Sequence, residues 1–237
     1  MKLLAFETAT EACSVALYLD GQVRERFELA PRRHAELALP WAQALLEEAG
    51  VARAQLDAVA VGRGPGAFTG VRLGIALAQG IGLALDRPLV AVSTLEVLAA
   101  AAPEEGPDRV LAAIDARMGE VYAGAYAREG GRLVLLQREQ VLAPDAVRLP
   151  AGEGGPWQGV GTGFGAADGL LARHLQADLA RVDATALPRA GVLARLAAAA
   201  FGRGEAVPAG QVEPAYLRDN VALTLAEQQA LRASRQP

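Results

Sequence analysis

The chain has 237 residues, long enough to bury a sizeable core as one large domain or two smaller ones. Its 23 basic side chains are outnumbered by 27 acidic ones, for a net charge of -4, which argues against strong autonomous binding to nucleic acid, since that needs a concentrated basic surface. A single cysteine, Cys13, excludes an internal disulfide framework, and the two histidines, His34 and His174, are too far apart in sequence to share a metal ion from one helix.

The opening Met1-Lys2-Leu3-Leu4-Ala5-Phe6-Glu7 meets an acid before a signal-peptide core can develop, which predicts a cytoplasmic protein. Residues 3–7 and 13–19 read as strands, with Cys13 in the core, and Asp20-Gly21 is a hairpin signal leading to a third strand over 23–29. Between the first two strands, Glu7-Thr8-Ala9-Thr10-Glu11 gathers acids and hydroxyls. In a nucleotide-binding fold Thr8, Thr10 and Glu11 would touch phosphates or a magnesium-bound water, and an ordinary polar turn has the same composition.

A helix follows over 34–49, with Leu37, Trp41, Leu45 and Leu46 at helical spacing and Gly50 in the stopping position. His34, at its start, reads as a capping or interface residue rather than a base. After a buried strand over 57–61 comes the most informative stretch, Gly62-Arg63-Gly64-Pro65-Gly66-Ala67-Phe68-Thr69-Gly70-Val71-Arg72-Leu73-Gly74, which leads into an apolar helix over 71–85. Strand, glycine loop and helix N-terminus resemble a phosphate cradle. The spacing matches neither the triphosphatase loop nor the dinucleotide fingerprint, and Lys2 is the only lysine. Gly70, Gly74, Ala78 and Gly82 recur every four residues and line one face, where either the protein's own sheet or another subunit could approach closely. At about 15 residues and with Arg72 inside it, the helix is short for a membrane span and reads as a soluble packing surface.

A strand over 88–92 and a helix over 94–101 precede Pro103-Glu104-Glu105-Gly106-Pro107, whose composition marks a linker. The predicted lobes are residues 1–105 and 106–237. The second half opens like the first, with a strand over 110–114, the turn Asp115-Ala116-Arg117-Met118-Gly119-Glu120, and strands over 120–127 and 132–138 around Glu129-Gly130-Gly131. Helices over 166–174 and 190–201 are expected to cover the second sheet, residues 151–156 to form a surface loop, and the Gln-rich tail from 225 to fray. Two halves with similar openings imply a duplicated α/β architecture. No Gly-x-Ser-x-Gly elbow is present for serine catalysis.

Taken together, these segments resemble the bacterial TsaB family, formerly YeaZ, over most of the chain. The resemblance rests on Glu7 through Leu17, His34 through Pro40, Gly62 through Gly74, Val92-Ser93-Thr94-Leu95, Ala112 through Tyr122, Val160-Gly161-Thr162-Gly163 and Glu213 through Ala222. At Glu7 the family more often has Asp, so a methylene is added where a metal-water contact would be sensitive. The family implies an actin, sugar-kinase and heat-shock ATPase type of fold, two lobes each with a mixed sheet flanked by helices. It also implies work on tRNA: relatives help make threonylcarbamoyladenosine beside the anticodon, together with the larger paralogue TsaD and the ATPase TsaE.

In TsaD the segment matching Val92 through Leu98 carries two metal-binding histidines, and here those positions are Thr94 and Leu98. Leucine cannot coordinate a metal and threonine is a poor substitute for imidazole. The resemblance therefore implies a non-catalytic partner without a cofactor, which docks and activates TsaD, meets TsaE and tRNA only through the complex, forms a homodimer alone and has no membrane role. It places the interface on the first two long helices, at His34, Leu37, Trp41, Gly70, Val71, Gly74, Ala78 and Gly82, so that Gly74→Leu is expected to block TsaD binding and leave the monomer folded. The rival readings are an enzyme in its own right, either an ATP-dependent transferase using the turn at Thr8 to Glu11 or a metallopeptidase, and a regulatory homodimer outside any complex.

Overall fold

The computed structural model describes residues 1–152 and 155–218. The first sheet holds β1 (Lys2–Glu7), β2 (Ala12–Leu19), β3 (Gln22–Leu29), β4 (Ala58–Gly62) and β5 (Leu89–Val92) in the order β3-β2-β1-β4-β5. The second holds β6 (Arg109–Arg117), β7 (Glu120–Glu129), β8 (Arg132–Leu142), β9 (Trp157–Val160) and β10 (Leu179–Asp183) in the order β10-β9-β6-β7-β8. Each sheet is an antiparallel three-stranded meander whose first strand is continued in parallel by the fourth and then the fifth. This is a duplicated α/β arrangement, two mixed sheets of the same strand order flanked by helices, as expected. The expected tail from residue 225, with Glu153 and Gly154 of the 151–156 loop, lies outside the described residues.

Local chemistry explains the meanders. Asp20 and Gly21 both take positive φ, 44° and 97°, as the tight turn from β2 to β3 requires, and Gly130 and Gly131 do the same between β7 and β8. β1 and β4 are buried on both faces and read as near-continuous apolar runs, whereas β3, on the edge, carries the charged run Arg24-Glu25-Arg26 between Val23 and Phe27. The short β9 and the exposed edge strand β10 are not among the predicted strands: β9 has four residues and β10 reads Leu-Ala-Arg-Val-Asp, with most of its side chains in solvent.

Five helices fill the faces: α1 (His34–Ala49), α2 (Phe68–Leu85), α3 (Thr94–Ala100), α4 (Ala166–His174) and α5 (Ala190–Gly202). α1 ends as expected, with Gly50 in the left-handed region and its N–H turned back to Glu47 and Leu46. Together with α2 it covers one face of the first sheet, on a core of Leu4, Phe6, Val15, Leu17, Val59 and Val61. α4 packs on the outer face of the second sheet around Trp157 and Phe164, and α3 packs on its inner face.

The helix expected over 190–201 to cover the second sheet covers the first instead. Leu193, Ala194 and Ala197 meet Leu3, Ala5, Ala16, Ala58 and Ala60, and alanine on both sides lets helix and sheet approach closely. No residue beside α5 caps it, so its N-terminus is met from far away in sequence. Ser14 of β2 accepts the Ala190 N–H at 2.9 Å, and the Glu25 carboxylate of β3 accepts the Gly191 N–H at 3.0 Å. A carboxylate is favourable at that end of a helix dipole. Arg189 also pairs with Glu25 at 2.9 Å, and Val207 then bridges to Leu89 at the sheet edge. The chain from residue 190 to about 212 thus belongs with the first sheet, which amends the expected lobe of residues 106–237.

Candidate functional site

The turn after β1 is closed by the protein itself. Thr8 and Thr10 are buried, and the Thr8 hydroxyl donates to the Gly70 carbonyl at 2.8 Å while Ala67 N–H donates to the Ala9 carbonyl at 2.7 Å. A methyl group on Gly62 would overlap the Glu7 carboxylate, on Gly66 the Ala9 carbonyl, and on Gly70 the Thr8 carbonyl. On Gly74 it would stand 2.6 Å from the Thr8 hydroxyl. Gly62, Gly66, Gly70 and Gly74 are bare because Glu7 and this turn lie against them, so the close approach announced by the glycines is made by the protein's own chain. Of the residues of the expected phosphate turn, Thr8 and Thr10 are thus buried, and Glu11 alone is exposed.

Glu7 sits beneath this lid at 1% exposure, its carboxylate accepting the Ala9 N–H at 3.0 Å and the Thr94 hydroxyl at 3.3 Å. Burial pushes its carboxyl from 4.5 up to about 7, against the opposing effect of those hydrogen bonds. Because the folded value lies above the unfolded one, the protonated form stabilises the fold fully below about pH 4.5, and that contribution is lost as pH rises toward 7. Relative to a Glu7→Gln variant, the wild type should lose about 3 kcal/mol between pH 4.5 and pH 8, from the 1.36 kcal/mol per unit that such a shift carries. Urea denaturation across that range reads it, and a constant difference between the two proteins would refute it.

The turn at the equivalent place in the second half is likewise self-satisfied. Asp115 accepts the Arg117 N–H at 2.8 Å and pairs with its guanidinium at 3.1 Å, and Arg218 ties the C-terminal segment to Glu120. Thr94 and Leu98, which the resemblance matches to metal-binding histidines, are packed shut. Thr94 is fully buried and its hydroxyl accepts the Gly64 N–H at 3.2 Å; Leu98 is fully buried, where a side chain on Gly161 would overlap it. These residues do not fit a metal, and among the described residues no three His, Cys, Asp or Glu side chains are grouped to hold one.

The structure places the expected interface residues in two groups. Gly70, Val71, Gly74, Ala78 and Gly82 are all buried in the protein's own first core, so the small-residue stripe meets the sheet and is not a surface. Gly82, for example, faces Leu89, the Arg87 carbonyl and Ala209. Leu37 and Trp41 are half-buried at the margin of that core and keep an outward side. His34 is engaged inward: its Nε2 lies 2.9 Å from the Thr10 carbonyl and 3.2 Å from the Ala12 carbonyl, anchoring the start of α1 to the β1–β2 turn. His34→Ala should cost about 1–2 kcal/mol in thermal or urea unfolding, the usual cost of leaving a partly buried acceptor unpaired, and an unchanged midpoint would refute that anchoring role.

Sequence reasoning misses the opposite face of α2. The helix begins at Phe68, three residues earlier than expected, and its 18 residues have a mean hydropathy of 1.5, yet only 28% of it is buried. By length and composition alone it could cross a membrane, but six of its residues are packed in the protein's own core. Away from the sheet it presents Thr69, Leu73, Ala76, Leu77, Gly80, Leu83 and Ala84, without a single charge; Leu83 is 68% exposed. Arg72, the only charged residue of α2, is turned aside and stacked between the rings of Phe68 and Tyr216. Leu37, Pro40, Trp41 and Ala44 form a half-buried to exposed apolar row on α1 beside it. A helix that is apolar all round is normally covered all round.

Residues 27–225 match the family model of TsaD, tRNA N6-adenosine threonylcarbamoyltransferase. The chain is 44% identical over 231 residues to the tRNA threonylcarbamoyladenosine biosynthesis protein TsaB of Escherichia coli (strain K12), covering 94% of this chain and 96% of that one. It is 37% identical to the Haemophilus influenzae protein of the same name, covering 93% and 95%. A solved structure from Pseudomonas aeruginosa, described as similar to the peptidase YeaZ, is 47% identical and superposes with a TM-score of 0.85 over 92% of this chain and 99% of that one.

Proposed function

The chain belongs to the TsaB family, and on that premise we propose that it is a non-catalytic subunit that binds TsaD and activates it in making threonylcarbamoyladenosine beside the tRNA anticodon. The observation that carries this reading is the uncharged apolar face of α2, at Leu73, Ala76, Leu77, Gly80, Leu83 and Ala84, flanked by Leu37 and Trp41 of α1. A face of this kind is stable when a second apolar helical face covers it, either TsaD in the complex or a second copy of the chain when TsaD is absent. Activation follows if the chain binds one state of TsaD more tightly than another. TsaE and tRNA are reached only through the complex, in the cytoplasm, because the chain's own net charge of -4 offers phosphates little.

Three features support a non-catalytic role. The turn from Glu7 to Glu11 is occupied by the glycine loop, the Asp115 turn is closed on itself, and Thr94 and Leu98 stand where histidines would be needed. The test is omission. Threonylcarbamoyl transfer to tRNA is followed with TsaD, TsaE and a fourth enzyme that makes the threonylcarbamoyl-adenylate TsaD uses, with and without this chain. Transfer that requires the chain, together with none by the chain without TsaD, is the expected result. Transfer by the chain alone would restore the enzyme reading, and no effect in either direction would overturn the activator.

A further inference from the structure

A cavity of about 400 Å³ lies where the loops after β4 and β5 and the start of α3 meet β7, β8 and the C-terminal segment. Its walls come from Arg63 after β4, Ser93 and Glu96 at the start of α3, Tyr126 of β7, residues 133–139 of β8, and the C-terminal segment at 215–217. None of these residues belongs to the α1–α2 face. The volume lies within the roughly 300–1,000 Å³ typical of small-molecule sites.

The two acids and two arginines of this cavity form no ion pair with one another among the described residues. Glu139 is 9% exposed, and among the described residues its carboxylate accepts hydrogen bonds only from two neutral groups, the Ser93 hydroxyl and the Tyr126 phenol, the latter at 2.6 Å. Glu96, also lining the cavity, forms no ion pair among the described residues, and neither does Glu139. The Glu96 carboxyl is held above its usual range by burial and then by the charge of Glu139, effects that Arg203 and Arg63 only partly offset. Two neighbouring carboxylates without a directly paired cation oppose the fold unless one joins them.

Arg63 and Arg138 line the same cavity, and neither guanidinium hydrogen-bonds to any described residue. Leu133, Leu135 and Leu217 add apolar surface to the same lining. A metal ion would find two carboxylates and two arginines, a poor combination. A ligand with an ammonium, a carboxylate and an apolar body satisfies all three parts of the lining.

We infer that this cavity binds a free α-amino acid with an apolar side chain, its ammonium at Glu139 and Glu96, its carboxylate at Arg63 and Arg138, and its side chain against Leu133 and Leu135. The site is independent of the docking face and of the reading built on it.

Calorimetric titration of the full chain with leucine, leucinamide and N-acetyl-leucine tests this. Leucine should bind with a Kd below about 1 mM, and N-acetyl-leucine, which lacks the ammonium, should bind at least about tenfold more weakly, as expected for loss of a charged hydrogen bond. Arg138→Ala, on the exposed rim, should weaken leucine and leave leucinamide unchanged. Glu139→Gln should weaken both, and where it disturbs folding the Arg138→Ala comparison still decides. No heat with leucine up to about 10 mM, or equal binding of leucine and N-acetyl-leucine, would overturn the proposal.

Discussion

Replacing Gly74 by leucine should destabilise the monomer itself, with a loss of about 3 kcal/mol or more in urea unfolding or a failure to accumulate as folded protein. The sequence alone suggests the opposite, a folded monomer unable to bind its partner. Geometry decides between them. The first carbon of any side chain at position 74 stands 2.6 Å from the Thr8 hydroxyl and 3.4 Å from Val61. Thr8 cannot simply turn away, because its hydroxyl is held by the Gly70 carbonyl at 2.8 Å and its own backbone lies against Gly70. Leucine adds three more carbons behind that first one, so α2 would have to lift from the sheet and uncover Val71, Ile75 and Ala78. A variant with the wild-type midpoint would show that the contact between α2 and the turn after β1 is loose, and would return the small-residue stripe to the surface.

Gly80→Arg should do what Gly74→Leu cannot. Gly80 is exposed, and no atom lies within 4 Å of the place where its Cβ would stand, so the monomer should keep its fold. It should even gain a few tenths of a kcal/mol, since arginine is a better helix former than glycine. In the docked state the guanidinium would lie at the centre of an apolar face with no anion among Leu73, Ala76, Leu77 and Ala84. Burying an unpaired charge there should cost at least about 2 kcal/mol, a loss of thirtyfold or more in TsaD affinity. Copurification and calorimetric titration against TsaD measure the loss, with thermal unfolding as the control on the fold. Wild-type affinity in a normally folded variant would place the docking surface elsewhere.

The pair of variants also marks what is legible in the residues alone. The run from Gly62 to Gly74 announces a close approach, and the strand, loop and helix around it fall within a few residues of their expected bounds. What approaches is not legible, because the partner is a turn sixty residues earlier whose Thr8, Thr10 and Glu11 read just as well as contacts for phosphates or a magnesium-bound water. That the helix meets something closely is legible, but not which face does so. Small residues recur along α2 on two opposite sides, Gly70, Gly74, Ala78 and Gly82 on one and Thr69, Ala76, Gly80 and Ala84 on the other, and spacing by fours cannot say which side meets the sheet. Exposure separates them. α5 is readable as a helix but not as a partner of the first sheet for a related reason: the residues that receive its N-terminus, Ser14 and Glu25, belong to the first hairpin, and nothing near Ala190 points to them.

That long return of α5 has a consequence for how the protein is made. The first sheet leaves the ribosome early, with its hairpin, α1 and α2 already able to cover one side. Its other side, Leu3, Ala5, Ala16, Ala58 and Ala60, has no cover until Leu193, Ala194 and Ala197 have been synthesised and have come back to it. Throughout translation of the second sheet a flat apolar surface therefore stands open, and the nascent chain depends on chaperones or on speed to keep it from meeting another copy.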